Sequence, residues 1–210
     1  MKKIITMLLI IMVTLSMVAC SASGGNPTAE EGEKGLSRGI ISGNVYTNEY
    51  MGFCFTKPET WEYATDAEIA QMVNLSVENI LGENFLEALE NNESVYDMLV
   101  YDNVSGTSVS VAYENLSKSF SYNISVQQYL DAIENQFSSN TSMKLVFTGD
   151  IQKITLGNTE FFKAKAKNIF SGMTIDQVFY LKKVDGYMFA ITVTLQGYTA
   201  AEIEAMFGPV

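Results

Sequence analysis

The chain contains no histidine, and its 210 residues include only two cysteines, three prolines and one tryptophan. Without histidine there is no imidazole base, no usual partner for a serine or cysteine nucleophile, and none of the commonest zinc ligand. Positive charge is also scarce, with 13 Lys and Arg against 24 Asp and Glu and a formal charge of -11. Removal of a leader carrying Lys2 and Lys3 makes the remainder two units more negative. So acidic a body repels phosphate backbones and anionic headgroups, which argues against nucleic acid as a partner and against electrostatic docking on a membrane. No apolar run reaches the roughly 20 residues a spanning helix needs.

Chemical signatures are equally thin. The chain has no Gly-rich phosphate loop, no Ser three residues before a Lys and no EF-hand pattern. Asp102, Asp150, Asp176 and Asp185 are the remaining candidates for carboxylate chemistry, but their spacing groups them nowhere, and turn or strand aspartates are the plainer reading. Oxygens near Asp97–Asn103 are too few for a calcium ion, which wants six or more. The expectation is a non-catalytic protein with no metal and no cofactor.

What is present begins with Met1-Lys2-Lys3 and the apolar stretch Ile4 to Val18, which have the layout of a signal peptide. The junction Met17-Val18-Ala19-Cys20 resembles the lipobox of bacterial lipoproteins. That resemblance implies that Cys20 becomes a diacylglycerol-linked N-terminus, leaving no second thiol to form a disulfide with Cys54. At least two acyl chains, at about 0.8 kcal/mol per buried methylene, anchor stably without spanning. The expected division is a signal peptide over 1–19, the lipidated cysteine and a Gly/Ser/Glu-rich tether over 20–43, and one domain over 44–210. The expected location is the extracytoplasmic face of the cell membrane.

Within the domain, Val45–Tyr50 and Phe53–Thr56 read as an opening hairpin, with Cys54 as a small buried hydrophobe. Lys57–Pro58 ends it ahead of Trp61, and a helix is expected to follow and cover it. Thr65-Asp66-Ala67-Glu68 is a capping box, and the helix it opens runs to about Leu81 with Ile69, Met72, Val73 and Ile80 on one face. A shorter helix carries Phe85, Leu86 and Leu89. The ten acidic residues from Glu59 to Asp97, with no basic one among them, read as a solvated face.

Val95–Asp102 and Thr107–Glu114 form a second hairpin, with Val109, Val111 and Tyr113 alternating against Ser108, Ser110 and Ala112. Ser125 to Gln128 is another capping box, opening a helix whose stripe of Val126, Tyr129, Leu130, Ile133 and Phe137 must lie on a sheet. Lys144–Thr155, Thr159–Phe170, Met173–Lys183 and Gly186–Leu195 read as a four-strand meander joined by Gly-Asn, Ser-Gly and Asp-Gly turns. Thr199 to Glu202 caps a final helix with Ile203, Met206 and Phe207 on its apolar face. The fold class is α+β: an antiparallel sheet covered by helices.

This order of elements, with the opening "VYTNEYMGFCFTKPETWEY" and the acidic helix after it, resembles the PsbP-like fold over about residues 44–207. The fold is shared by the extrinsic photosystem II subunit and a nuclear transport factor that binds the GTPase Ran, and it recurs in bacterial lipoproteins. The resemblance implies a domain that acts by binding other proteins, and it carries no functional residue onto this chain. Two candidate sites come from the residues themselves. Lys163, Lys165 and Lys167 share one face of one strand, either as an interaction patch or as an ordinary solvent face or protected edge. Tyr46, Tyr50 and Trp61 are candidates for a ligand groove, with core packing as the simpler account. The expected function is a lipid-anchored extracytoplasmic binding or interaction domain, with an envelope protein as expected partner. The alternative is a small-molecule or ion-binding lipoprotein that serves a membrane complex.

Overall fold

The computed structural model describes residues 35–72, 85–120, 122–138 and 143–210. The lipobox, Cys20 and the second half of the first expected helix, including Val73 and Ile80, lie outside these residues. The described strands form two antiparallel sheets. The smaller has the order β1-β2-β3-β11 (Ile40–Ser42, Val45–Asn48, Phe53–Thr56, Phe207–Pro209). The larger has the order β4-β5-β6-β10-β9-β8-β7, comprising Glu62–Tyr63, Ser94–Tyr101, Ser108–Asn115, Tyr187–Leu195, Met173–Val184, Thr159–Phe170 and Met143–Leu156. The meander strands thus fall within a residue of where their alternation places them.

Alternation also decides which side chains meet between the sheets. Phe53 and Phe55 of β3 face inward, so Cys54 turns outward and is only half-buried, with its thiol against the Pro209 carbonyl at 3.5 Å. The reading of Cys54 as a buried hydrophobe is corrected by this register. Phe53 sits among the rings of Tyr46, Phe161, Phe189 and Phe207, with centroids 5.6–6.1 Å apart. Such offset and edge-on pairs add to the energy of burying each ring. Phe207 reaches this cluster as part of β11, not as the last turn of a helix. The final helix, α5, is only Ala200–Glu204, and the chain then pairs with β3 at Phe207↔Phe55.

The helix after Trp61 does not cover the opening hairpin. Trp61 packs edge-on against Tyr198 at 5.2 Å, and its indole donates to the Tyr198 hydroxyl at 3.4 Å. After β4 pairs at the edge of the large sheet, α1 (Asp66–Met72) packs Ile69 and Ala70 with Tyr96 and Leu99 on the opposite face. α2 (Phe85–Asn91) returns Ala88 and Leu89 to the core between the sheets. α3 (Leu116–Ser119) and α4 (Val126–Ser138) cover the outer face through Leu116, Tyr129, Leu130, Ile133 and Phe137. The large sheet is therefore the middle of three layers. Each of the three capping boxes is complete, with hydroxyl and carboxyl or amide exchanging bonds across Thr65/Glu68, Ser125/Gln128 and Thr199/Glu202.

Order reaches into the stretch read as tether. β1 pairs with β2, and the Gly39 amide donates to both carboxyl oxygens of Asp97 at 3.0 Å. A Cβ on Gly39 would lie 2.3 Å from the Tyr46 ring, so only glycine lets the backbone pass this closely.

Candidate functional site

The candidate site lies on the α4 face of the large sheet. Strand register brings Ser94 and Glu114 together from β5 and β6, Ser110 opposite Thr192, and Ala112 opposite Ala190. These short side chains leave a partly enclosed pocket of about 50 Å³, walled by Tyr96 from β5, Tyr129 from α4 and Phe179 from β9. Glu114 is 5 % exposed. Its Oε2 accepts from the Tyr129 hydroxyl at 2.5 Å, while Oε1 is buried with no hydrogen-bond partner. The Ser119 hydroxyl lies near the same carboxyl without completing a bond to it.

Burial is the main reason that the Glu114 carboxyl is pushed up to about 7, and the charge of Glu93 adds to the rise. The Tyr129 and Ser119 hydroxyls act in the other direction. No cation faces Glu114 among the described residues: Lys118 of α3 donates to the Asn91 carbonyl, and Lys183 of β9 donates to the Tyr122 carbonyl. A carboxyl held near neutrality beside a pocket can take or release a proton, or receive a positive charge. Farther along this face Gln177 Oε1 and both polar atoms of Asn168 are also buried without partners.

A second polar cluster lies between the sheets and is closed. Asp97, 1 % exposed, accepts from the Tyr46 hydroxyl at 2.5 Å, the Asn48 amide at 3.2 Å and the Gly39 amide, and Arg38 Nε stands 3.5 Å away. Burial pushes this carboxyl up, and the three hydrogen-bond donors and the Arg38 charge oppose that rise. Asp97 occupies a bulge, because the register slips between Tyr96 and Met98, and this turns Asp97 inward beside Met98. These contacts fasten residues 38–39 to the core. Gly35-Leu36-Ser37-Arg38-Gly39 has the spelling of a nucleophile elbow, but it leads into a strand instead of joining a strand to a helix.

The residues singled out by sequence lie elsewhere. Tyr46 and Trp61 are sealed in the core and Tyr50 donates to Asp185 at 2.5 Å, so the three form no groove. Lys163, Lys165 and Lys167 do share a face, but on an interior strand, so they do not guard an edge. Lys163 is 13 % exposed at its side chain and pairs with Glu204 at 2.5 Å, and Lys167 pairs with Asp176 at 3.1 Å. Asp102 organises the β5–β6 turn. Burial would raise its carboxyl, but bonds from Val104 and Ser105 outweigh that and hold it below the usual range. Asp176 and Asp185 lie at opposite ends of β9, and the four aspartates do not converge. Among the described residues no three Cys, Asp or Glu are placed to hold a metal ion.

Fold and site together define an antiparallel α+β domain with a small carboxyl-bearing pocket on its helical face. Among solved structures it is similar to cyanobacterial PsbP from Synechocystis, at 8% identity and a TM-score of 0.46, over 88% of this chain and 100% of that one. It is also similar to a protein from Bacteroides thetaiotaomicron, at 14% identity and a TM-score of 0.38, over 81% of this chain and 49% of that one. A third is LpqN, described as involved in cell envelope biogenesis of Mycobacterium tuberculosis, at 9% identity and a TM-score of 0.35, over 73% and 76%. No family profile matches the chain, and no curated protein matches it in sequence. None of these likenesses carries a functional residue onto this chain.

Proposed function

We propose that the chain is a non-catalytic, lipid-anchored binding domain on the extracytoplasmic face of a bacterial cell membrane, and that its ligand enters the pocket beside Glu114. The observation that carries this reading is a buried carboxyl oxygen without a partner at the wall of a pocket. Protein interiors rarely leave such an atom unsatisfied, so Oε1 calls for a donor, from the neighbouring Ser119 hydroxyl, from water or from a ligand in the pocket. Between the two binding classes the pocket favours a small ligand over a flat protein contact. The lysine face is a poorer surface than its charge suggests, since two of its three ammonium groups are already paired.

Anchoring through Cys20 is supported by the Met17–Cys20 junction, and no described helix is long and apolar enough to cross a membrane. A labelled fatty acid should be incorporated by the full chain and not by Cys20→Ala, which should leave the membrane fraction. Native mass spectrometry of protein taken from its own membranes should show a bound small molecule that is missing from Glu114→Gln. An unmodified Cys20 would overturn the anchor, and a ligand-free protein in both forms would overturn the pocket.

A further inference from the structure

The geometry points to a positively charged ammonium head as the group the pocket accepts, with the rest of the ligand remaining outside. This inference rests on the pocket reading above and specifies the chemistry of what enters.

Size sets the first limit. A pocket for a whole drug-sized ligand measures about 300–1,000 Å³, and one buried water needs about 10–15 Å³. The 50 Å³ here therefore suits a head group of a few heavy atoms. Composition sets the second. Glu114 brings a carboxylate to the wall with no cation facing it, its Oε2 bonded by Tyr129 and its Oε1 beside the Ser119 hydroxyl, and Ser110, whose hydroxyl donates weakly to the Thr192 carbonyl at 3.5 Å, keeps its own lone pairs free for another N–H. Tyr96, Tyr129 and Phe179 supply three aromatic rings in the same wall, and such rings attract cations.

An anion would meet the carboxyl and be repelled. A neutral hydroxyl could donate to the carboxylate but would leave the charge of Glu114 uncompensated in a largely buried site. An ammonium supplies both a proton donor and the counter-charge. The groups facing Glu114 from the surrounding elements are Tyr129 on α4, Tyr96 on β5, Ser119 on α3 and Glu93 ahead of β5. None of them is a cation, so a bound ammonium competes with no internal partner.

The inference fixes a pH dependence. With the carboxyl titrating at about 7, it is roughly 90 % ionised at pH 8 and about 3 % at pH 5.5, so affinity should fall about 30-fold between them. The test is a titration of the 15N-labelled full chain in detergent with methylammonium chloride, with ethanol as the neutral control, followed through the amides of Ser110, Tyr129 and Thr192. Saturable shifts are expected with methylammonium at pH 8. They should weaken about 30-fold at pH 5.5 and vanish in Glu114→Gln, which retains the Tyr129 bond and the fold. Equal responses to ethanol and methylammonium would overturn the ammonium assignment and leave the pocket reading standing. So would methylammonium binding unchanged by Glu114→Gln. No response to either probe also overturns the ammonium head, and the native mass-spectrometric comparison then decides the pocket separately.

Discussion

Replacing Glu114 by glutamine should make the protein more stable, and only at neutral to alkaline pH. The carboxyl is held at about 7 in the folded chain by burial, against a reference value of 4.5. A group raised on folding contributes its full stability below the unfolded value and loses it as pH rises through the folded one. At 1.36 kcal/mol per unit, the wild-type chain loses about 2–3 kcal/mol of stability between pH 5 and pH 8 through this one group. The glutamine side chain of the variant does not titrate, can still accept from Tyr129, and presents its amide near the unsatisfied Ser119 hydroxyl. Urea unfolding at pH 5, 6, 7 and 8 should therefore show a small difference between the proteins at pH 5, growing to about 2–3 kcal/mol in favour of the variant at pH 8. A constant difference across this range would refute the claim that Glu114 is a desolvated, titrating carboxyl, and the pH-dependent binding argument would fall with it.

Three further outcomes follow from the packing. Asp97→Asn keeps the shape but turns an N–H donor toward one of three existing donors, and Asn48 is held in place by the Met51 amide at 2.8 Å; urea unfolding should report a loss of about 2–3 kcal/mol, whereas a loss below about 0.5 kcal/mol would mean the cluster fastens nothing. Phe53→Ala empties the centre of the aromatic cluster and should cost about 3–5 kcal/mol, lowering Tm by roughly 8–16 °C in calorimetry; a drop under about 3 °C would show that the sheets do not depend on that ring. Ser125→Ala removes the first bond of α4 and should cost about 1 kcal/mol, and restoring the cap with Asp should recover most of it.

Local signals in the sequence located most of the secondary structure because they are local in cause. The three capping boxes form their bonds within four residues, and Gly157, Ser171-Gly172 and Asp185-Gly186 adopt the positive φ angles that their turns require. What escaped depends on residues far apart. Phe207 reads as helical because Ile203, Met206 and Phe207 have helical spacing, and only β3 waiting unpaired makes it a strand. Asp97 reads as part of a regular strand because nothing within Ser94–Tyr101 announces the bulge that turns it inward. Glu114 follows Ser108, Ser110 and Ala112 on what looks like a solvent face. It is buried because α4 lies across that face, and the Ser125 cap predicts the helix without saying which strands it covers. The candidate pocket was thus beyond the reach of motif reading. One usable hint is an acid within hydrogen-bond register of a run of small side chains on a strand opposite an apolar helical stripe.

The pairing of β3 with β11 sets an order of events in biogenesis. Cys54 and Pro209 touch across 155 positions of chain, so the aromatic layer between the sheets stays open until Phe207–Pro209 have been made. Contacts of such long range form slowly, and a polypeptide that has yet to supply them is kept loose. A polypeptide of this design completes the layer between its two sheets only with its last strand, so the final residues act as a latch on the aromatic core.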